Sequence, residues 1–194
     1  MPVPSPYCTI GPFFPYQFVD DSNDLTRFDG KTASGKHILL AGRVVEEGNL
    51  PTSNTILEIW QPDSNGIFRH TLDPRNGEAD PGFAGWGRAR TNRDGWYRFR
   101  TVLPGASLEL DGTRRCAHMN MMVLAIGITR RLVTTVFFAE NSAKTDDPVL
   151  RCVPETDRVR LFATRDPALD AEGLPAYRFD LVLRGENETP FFLD

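Results

Sequence analysis

Short apolar runs, each bounded by turn-forming residues, recur along the middle of this chain. The runs are rich in β-branched or aromatic residues and are flanked by Gly, Pro, Asn or Asp, which is typical of β-strands. The last run also alternates between apolar and polar positions, as expected for a strand with one buried face. The pattern predicts strands over residues 38–45, 55–60, 96–102, 121–126, 132–138 and 177–184.

Turn signals agree with a mainly β chain. Residues 63–66 and 92–95 both begin with Asn or Asp and end in Gly, which predicts hairpin turns with positive φ at the glycine. Residues 154–163 are the only stretch in which we expect a helix, because Pro and two acids precede spaced apolar positions. Many strands with few helices predict an all-β sandwich with one or two short helices and long loops.

Composition narrows the class of protein. The chain has 194 residues, 40% of them hydrophobic and 25% charged, so we expect one domain over residues 1–194. A net charge of -4 and a pI near 5.4 exclude a basic surface for nucleic acid or anionic membranes. Three scattered cysteines, Cys8, Cys116 and Cys152, and no visible secretory signal predict a cytoplasmic protein. A chain whose leader has been removed would look the same.

Two regions carry candidate chemistry. The irregular segment 73–83 is either a functional loop or an ordinary solvated one. On a strand, Cys116, His118 and Asn120 would face the same way. Asparagine is a poor transition-metal ligand, since its amide oxygen is neutral and hard. Either a zinc pair formed by the cysteine and histidine or a buried histidine satisfied by a hydrogen bond remains open, and the second is favoured. His37 and His70 lie far away in sequence.

Motifs along nearly the whole chain resemble those of the intradiol aromatic-ring dioxygenases. The segments that carry the resemblance are TIGPFF at 9–14, LEIWQPDSNG at 57–66, WYRFRTVLPG at 96–105, AH at 117–118 and YRFD at 177–180. The ending RGENETPFF at 184–192 looks most like the alpha subunit of members that are built from two homologous chains and act on 3,4-dihydroxybenzoate. The resemblance implies an intradiol dioxygenase-like β-sandwich.

The resemblance also allows the metal site to be checked position by position. The family holds a non-haem ferric ion with two tyrosines and two histidines, and those positions fall here on Phe68, Ser107, His118 and Asn120. Only His118 keeps a family ligand. We therefore expect no metal ligand and no catalytic residue in this chain, with Fe(III) bound by a homologous beta subunit in an αβ hetero-oligomer.

What such an alpha chain would add is a wall of the substrate site. The family's Thr-x-Gly-Pro motif falls on Thr9, Gly11 and Pro12, within an N-terminal arm (1–30) that contributes to the pocket or the interface. An ordinary N-terminal turn is the alternative.

The expected carboxylate-binding arginine is missing from its usual place. Alpha chains of the family tend to carry it immediately before the glycine that matches Gly127, where this chain has Ile126. Arg130 or Arg131 is the candidate to replace it, although solvated turn cations would look the same. Arg115 matches an arginine near the metal in catalytic chains, and without a metal we expect it to form a structural ion pair.

The function implied is intradiol cleavage of 3,4-dihydroxybenzoate by O2 to 3-carboxy-cis,cis-muconate, with this chain as the non-iron subunit. Two rivals stay open: a stand-alone β-sandwich that binds a small aromatic ligand without chemistry, and a structural homo-oligomer. The phenylalanine pairs at 13–14, 137–138 and 191–192 favour a buried interface, although core packing explains some of them.

Overall fold

The structure is a computed structural model that describes residues 21–128, 131–138 and 146–192. The strands in these ranges are β1 (Arg27–Phe28), β2 (Lys31–Thr32), β3 (His37–Glu46), β4 (Leu50–Pro51), β5 (Ile56–Trp60), β6 (Trp86–Arg90), β7 (Trp96–Val102), β8 (Ser107–Leu108), β9 (Arg114–Arg115), β10 (His118–Leu124), β11 (Leu132–Phe138), β12 (Phe162–Arg165), β13 (Ala176–Arg178) and β14 (Leu181–Val182). The helical elements are α1 (Pro148–Arg151) and single 3-10 turns at Asp21–Asn23, Glu47–Asn49, Asn76–Glu78, Arg158–Leu161 and Pro167–Leu169.

Ten of these strands form one strongly curled sheet whose two halves face each other, while β1–β2 and β8–β9 are separate two-stranded pairs. In one half, β6, β5, β10 and β11 pair antiparallel in that order. In the other, β3 pairs antiparallel with β7 and parallel with β13 and β14. Strand β12 joins the halves, because it pairs with both β11 and β13. The predicted all-β sandwich is confirmed.

The core lies between these two halves and is built by alternating side chains. On β10, Met119, Met121 and Val123 are fully buried in it. Burial of each such side chain contributes about 1.5–3 kcal/mol relative to exposure. Because successive residues of a strand point to opposite faces, His118 and Asn120 emerge on the other side of the same strand.

The predicted strand 177–184 is interrupted. Strands β13 and β14 are separated at Phe179 and Asp180, where side chains replace part of the backbone ladder. The Arg43 N–H donates to the Asp180 carboxylate at 2.9 Å, and the Tyr97 hydroxyl donates to the Phe179 carbonyl at 2.5 Å. A Cβ at Gly42 would lie 1.8 Å from that carbonyl oxygen, so only glycine lets the chains approach this closely.

The predicted helix at 154–163 is wrong. Only Arg158–Leu161 is helical there, as a single 3-10 turn, and the α-helix lies earlier, at Pro148–Arg151. Residues 162 and 163 belong to β12, since Phe162 and Ala163 pair with Phe137 and Phe138 of β11. Sheet pairing and burial therefore override the helical pattern.

Both predicted turns form, but neither closes a hairpin. The N–H of Gly66 donates to the Asp63 carbonyl at 3.0 Å, and that of Gly95 donates to the Asn92 carbonyl at 3.1 Å. Both glycines have φ of +78°. The strands flanking the second turn separate, because β6 pairs with β5 whereas β7 pairs with β3.

Two further features concern possible interfaces. Phe137 and Phe138 are each 1% exposed, so core packing explains this pair and it does not indicate an interface. Phe191 and Phe192 pack as partly buried residues against the two core clusters.

In the ranges that the structure describes, no helix has the length and apolar character needed to cross a membrane.

Candidate functional site

A cavity of about 330 Å³ opens beside the first residues of β10. His118 and Asn120 line it from β10, and Trp60 lines it from the end of the neighbouring β5. The rest of the wall comes from residues within segments 68–74 and 108–110. Three of the four positions that match the family's metal ligands therefore share this cavity, and the fourth, Ser107, immediately precedes segment 108–110.

Aromatic rings form one wall of the cavity. Trp60 and Phe68 are stacked, with ring centroids 5.9 Å apart and planes inclined by 14°. The ring of His70 meets Trp60 edge-on at 6.1 Å, and the ring of His118 lies 6.5 Å from Phe68. A planar apolar surface of this kind suits the face of another ring.

The mouth of the cavity is apolar as well. Leu72, Leu108 and Leu110 are 61%, 43% and 73% exposed, although each is a large hydrophobic side chain. All three line the cavity. Exposed leucines that cluster around an opening indicate a surface that contacts something other than water.

Aspartate side chains hold the loop that brings these residues together. Asp63 accepts hydrogen bonds from the N–H groups of Asn65, Ile67 and Asp80, and thereby ties both ends of the loop to one carboxylate. Asp73 accepts from the N–H of Phe68 at 3.0 Å and orients that residue toward the cavity. The loop 73–83 is thus held in place by its buried acids and supplies part of the wall.

The charge of Asp73 is favoured by its surroundings. Burial opposes ionisation, but hydrogen bonds from the N–H groups of Phe68 and Arg75, together with the Arg75 guanidinium, outweigh it. The pKa of Asp73 is therefore below its ordinary value, and the side chain is a carboxylate at neutral pH.

Close backbone packing positions Ser107. The Gly105 N–H donates to the Asp63 carbonyl at 2.9 Å. A Cβ on Gly105 would lie 2.5 Å from the Gly66 nitrogen, and one on Gly66 would lie 1.8 Å from the Ala106 carbonyl oxygen. Two glycines thus allow the turn after β5 to rest directly on the segment that leads into β8.

His118 is a buried neutral histidine. Its Nδ1 lies 2.7 Å from the Cys116 carbonyl oxygen, and since that oxygen can only accept, Nδ1 carries the hydrogen. Burial is the main cause that lowers the His118 pKa below its ordinary value, and the positive charge of Arg115 adds to it. In the neutral ring the Nε2 atom then holds a lone pair. The favoured prediction, a buried histidine satisfied by a hydrogen bond, is confirmed.

Asn120 sits beside this imidazole on the same face of β10. Its Oδ1 accepts a hydrogen bond from the Thr135 hydroxyl at 3.1 Å, across the β10–β11 pair. With the oxygen engaged in this way, the amide N–H groups are the donors that Asn120 offers to the cavity.

Arg115 forms the ion pair expected of it. Its Nε lies 3.0 Å from both oxygens of the fully buried Asp147, and its Nη1 lies 2.9 Å from a Glu109 oxygen. The Cys116 carbonyl accepts the hydrogen bond from His118, while the Cys116 side chain packs against the smaller core cluster and not against the cavity.

These residues do not fit ferric iron. Phe68 has no phenolate, and the Asn120 amide is neutral and already bonded to Thr135. The Ser107 hydroxyl is buried with no hydrogen-bond partner among the described residues. Within ranges 21–128, 131–138 and 146–192, no three His, Cys, Asp or Glu side chains cluster so as to hold a metal ion. Among the described residues, two histidines, His70 and His118, line this cavity, but no tyrosine does, so the phenolates that the family uses to hold ferric iron are missing from it.

The remaining predicted site residues either do not line this cavity or fall outside the residues that the structure describes. Thr9, Gly11, Pro12 and Arg130 are not among the described residues, and Arg131 is exposed just before β11. Ile126 is 46% exposed beyond the end of β10. The roles predicted for these residues stay predictions.

Sequence reasoning missed His70, Leu72 and Trp60 as neighbours of His118. His70 is distant from His118 in sequence, yet the folded loop places it on the same cavity. The aspartates at positions 63, 73 and 80, spaced through an irregular segment, were the available signal, because aspartates commonly organise turns through their side chains.

Comparison with known proteins decides the family. A family model described as Dioxygenase matches residues 9–185 of the chain. The chain belongs to the intradiol dioxygenase family. It is 35% identical over 199 residues to a protocatechuate 3,4-dioxygenase alpha chain of Burkholderia cepacia, covering 97% of this chain and 96% of that one. It is also 35% identical over 173 residues to the beta chain from the same organism, covering 87% and 74%.

Solved structures support the same fold for this intradiol dioxygenase family member. The dioxygenase domain from Streptomyces sp. SirexAA-E superposes with a TM-score of 0.55 at 21% identity, covering 97% of this chain and 100% of that one. Catechol 1,2-dioxygenase from Acinetobacter sp. ADP1 superposes with a TM-score of 0.60 at 24% identity. There the match covers 88% of this chain and 60% of the other, which is longer. At these identities the structural likeness establishes the fold alone.

Proposed function

We propose that this chain is the non-iron alpha subunit of a protocatechuate 3,4-dioxygenase. The observation that carries the proposal is the replacement of three family ligands by Phe68, Ser107 and Asn120, none of which can hold ferric iron in this cavity. The match to an alpha chain over nearly its full length supports it. Members of the family use iron, so a family member that lacks the ligands needs another chain to supply the metal.

In this proposal a homologous beta subunit binds Fe(III), and the ring of 3,4-dihydroxybenzoate opens there between its two hydroxylated carbons. O2 is consumed and 3-carboxy-cis,cis-muconate is released. The present chain supplies part of the substrate wall through Thr9, Gly11 and Pro12 in its N-terminal arm. We also propose that the assembly is cytoplasmic, because the three scattered cysteines of this chain suit reduced thiols better than a disulfide framework.

Recognition of the substrate carboxylate falls to Arg130 or Arg131 in this proposal. The family's usual position holds Ile126, whose side chain cannot form a charge-assisted hydrogen bond. Arg130→Ala and Arg131→Ala should therefore raise KM for 3,4-dihydroxybenzoate, with a much smaller effect on a catechol that lacks the carboxylate. Arg184→Ala is the matched control, since that side chain is 71% exposed and pairs loosely with Glu47 at 3.7 Å. Equal effects on both substrates would remove both arginines from the substrate site.

Co-expression tests the division of labour between subunits. The chain is produced alone and together with an iron-binding beta homologue, and iron content, the ferric-tyrosinate visible band and substrate-dependent O2 uptake are measured. The proposal expects a colourless, inactive chain when it is alone, and a coloured, active complex with iron in proportion to the beta chain. Stoichiometric iron and activity in this chain by itself would overturn it.

The stand-alone binding sandwich is the second candidate. The aromatic wall that includes Trp60 and Phe68 favours it, because such a wall needs no metal to hold a ring. This candidate expects a stable monomer that ignores the beta homologue. Size-exclusion chromatography of the mixed chains separates the two proposals, because only the subunit proposal predicts a co-eluting complex.

A further inference from the structure

The cavity beside His118 keeps the features of a ligand site although it has lost those of a metal site. Its volume of about 330 Å³ lies at the small end of known small-molecule sites, which suits a single ring. The rings of Trp60 and Phe68, which stack on each other and line the cavity, provide apolar aromatic contact. The leucines at 72, 108 and 110 surround the mouth and would shield a bound apolar molecule from water.

Two polar groups meet in this apolar setting. The Nδ1–H of His118 donates to the Cys116 carbonyl, and Nε2 has no hydrogen-bond partner within the described part of the chain. That atom is an acceptor in the neutral ring. Asn120, two residues along the same face of β10, has engaged its oxygen with Thr135 and offers N–H donors. One acceptor and one donor therefore project from adjacent positions on one strand.

A hydroxyl group carries the two complementary functions, a donor for the acceptor and an acceptor for the donor. Its O–H donates to the lone pair of His118 Nε2, and its oxygen accepts from the Asn120 amide. A hydroxyl attached directly to an aromatic ring leaves the ring itself to lie against Trp60 and Phe68. Phenols keep their proton at neutral pH, since the pKa of a phenolic hydroxyl is about 10.

The charged side chains that the described residues place in the wall are two acids, each paired with an arginine that does not line the cavity. Asp73 and Glu109 are the charged side chains among the described residues that line the cavity, and both are acids. The arginines that pair with them, Arg75 and Arg115, do not line it. An aromatic carboxylate would place its charge near these acids in a partly desolvated space.

We propose that this cavity binds an uncharged phenol without any metal. The ring lies against Trp60 and Phe68, and the hydroxyl is shared between His118 and Asn120. The inference uses only residues of this chain, so it stands whether or not the chain assembles with an iron-binding partner.

Binding of matched ligands tests the proposal on the full chain, or on the complex if the chain assembles with a beta homologue. Equilibrium dialysis in the presence of a chelator compares p-cresol, 4-hydroxybenzoate and toluene. The first two share a hydroxyl and differ in charge, while toluene lacks the hydroxyl. We expect saturable binding of p-cresol, with 4-hydroxybenzoate and toluene each weaker by about fivefold to tenfold, the loss typical of one hydrogen bond or one unfavourable charge.

Variants in this chain assign the site. His118→Phe keeps an aromatic ring among Phe68 and Phe137 but removes the acceptor, and it should weaken p-cresol to the level of toluene. Glu109→Gln should strengthen 4-hydroxybenzoate and leave p-cresol unchanged. Tryptophan fluorescence reports occupancy, and the p-cresol response should vanish in Trp60→Phe and persist in Trp96→Phe, because Trp96 lies on β7 in the other half of the sheet.

Three results would overturn the proposal: no saturable p-cresol binding, equal binding of p-cresol and toluene, or loss of binding when the chelator is added. The ligand comparison needs no variant, so it decides the matter even if His118→Phe fails to fold. The outcome is independent of the subunit assignment, which is judged by iron content and O2 uptake of the mixed chains.

Discussion

Arg115 and Asp147 form a buried ion pair in which the Nε of the arginine lies 3.0 Å from both carboxylate oxygens. The same carboxylate accepts hydrogen bonds at 2.9 Å from the N–H groups of Cys116 and Val149. It therefore caps α1 and fixes the chain just before β10. The position of His118 in the cavity depends on this junction.

Removing the carboxylate should destabilise the fold strongly. Asp147→Ala leaves Arg115 as a buried charge without its main partner, and we expect a loss of about 3–5 kcal/mol in the free energy of unfolding. Urea denaturation followed by circular dichroism measures it. Asp146→Ala is the matched control, because that neighbouring side chain is 73% exposed and pairs with Arg151, which is exposed as well. Similar midpoints for the two variants would contradict the structural role given to Asp147.

The glycine contact behind Ser107 should tolerate no side chain. In Gly105→Ala the new methyl group would meet the Gly66 nitrogen at 2.5 Å and the Ser64 carbonyl oxygen at 2.6 Å, both of them backbone atoms. We expect a loss of about 1–3 kcal/mol, typical of an overpacked core, together with weaker p-cresol binding.

Gly77→Ala serves as the control for that substitution. Nothing lies within 4 Å of a Cβ built there. The change should be neutral, or stabilising by about 0.4–1 kcal/mol through the unfolded chain. If both alanine variants melt at the wild-type temperature, the turn after β5 does not rest on the segment before β8 as described.

Stability should fall in mild acid because of His118. Burial lowers the pKa of this imidazole in the folded protein below its ordinary value of 6.5, so the unfolded chain takes up the proton first as the pH falls. The stability that depends on the neutral ring is complete above pH 6.5 and is lost progressively as the pH falls from 6.5 toward the folded-state pKa. Urea unfolding at a series of pH values from 8 to 5 would show it.

His118→Phe isolates this contribution. The variant cannot be protonated at this position, so the difference in unfolding free energy between wild type and variant should shrink as the pH falls below 6.5. A difference that stays constant across the series would show that the folded protein accepts the proton at no cost.

Restoring the family ligands should restore iron binding. The triple variant Phe68→Tyr, Ser107→Tyr, Asn120→His returns two phenolates and a second imidazole to positions around His118. We expect about one ferric ion per chain and a tyrosinate-to-iron visible band, because phenolate and imidazole ligands suit ferric iron. Metal analysis and the visible spectrum measure this.

Two partial variants serve as controls for iron binding. Asn120→His alone should remain colourless, since two ligands do not make a site. Adding His118→Phe to the triple variant should remove the iron. A folded triple variant without colour would show that the four positions do not converge as the family resemblance implies.

Strand positions were predictable where the pattern was local. The predictions over 96–102 and 132–138 coincide with β7 and β11, because β-branched and aromatic content between turn-forming residues is a property of the segment alone. The helix at 154–163 failed because Phe162 gains more by pairing with β11 than by continuing a helical turn. The hairpin after β6 failed because β7 finds its partner in β3, on the other half of the sheet. A turn sequence does not determine which strand each of its flanking strands will pair with.

The candidate site also has features that the sequence predicts and features that depend on the fold. Through the family resemblance, the sequence determined that Phe68, Ser107 and Asn120 stand at three positions where the family has iron ligands. Period-2 alternation placed His118 and Asn120 on one face. Only the tertiary structure decided what surrounds them. Trp60, His70 and the exposed leucines reach the cavity because the carboxylates of Asp63 and Asp73 bind distant backbone N–H groups and two glycines permit close packing. Such long-range contacts depend on the whole fold, whereas strand alternation depends only on backbone geometry.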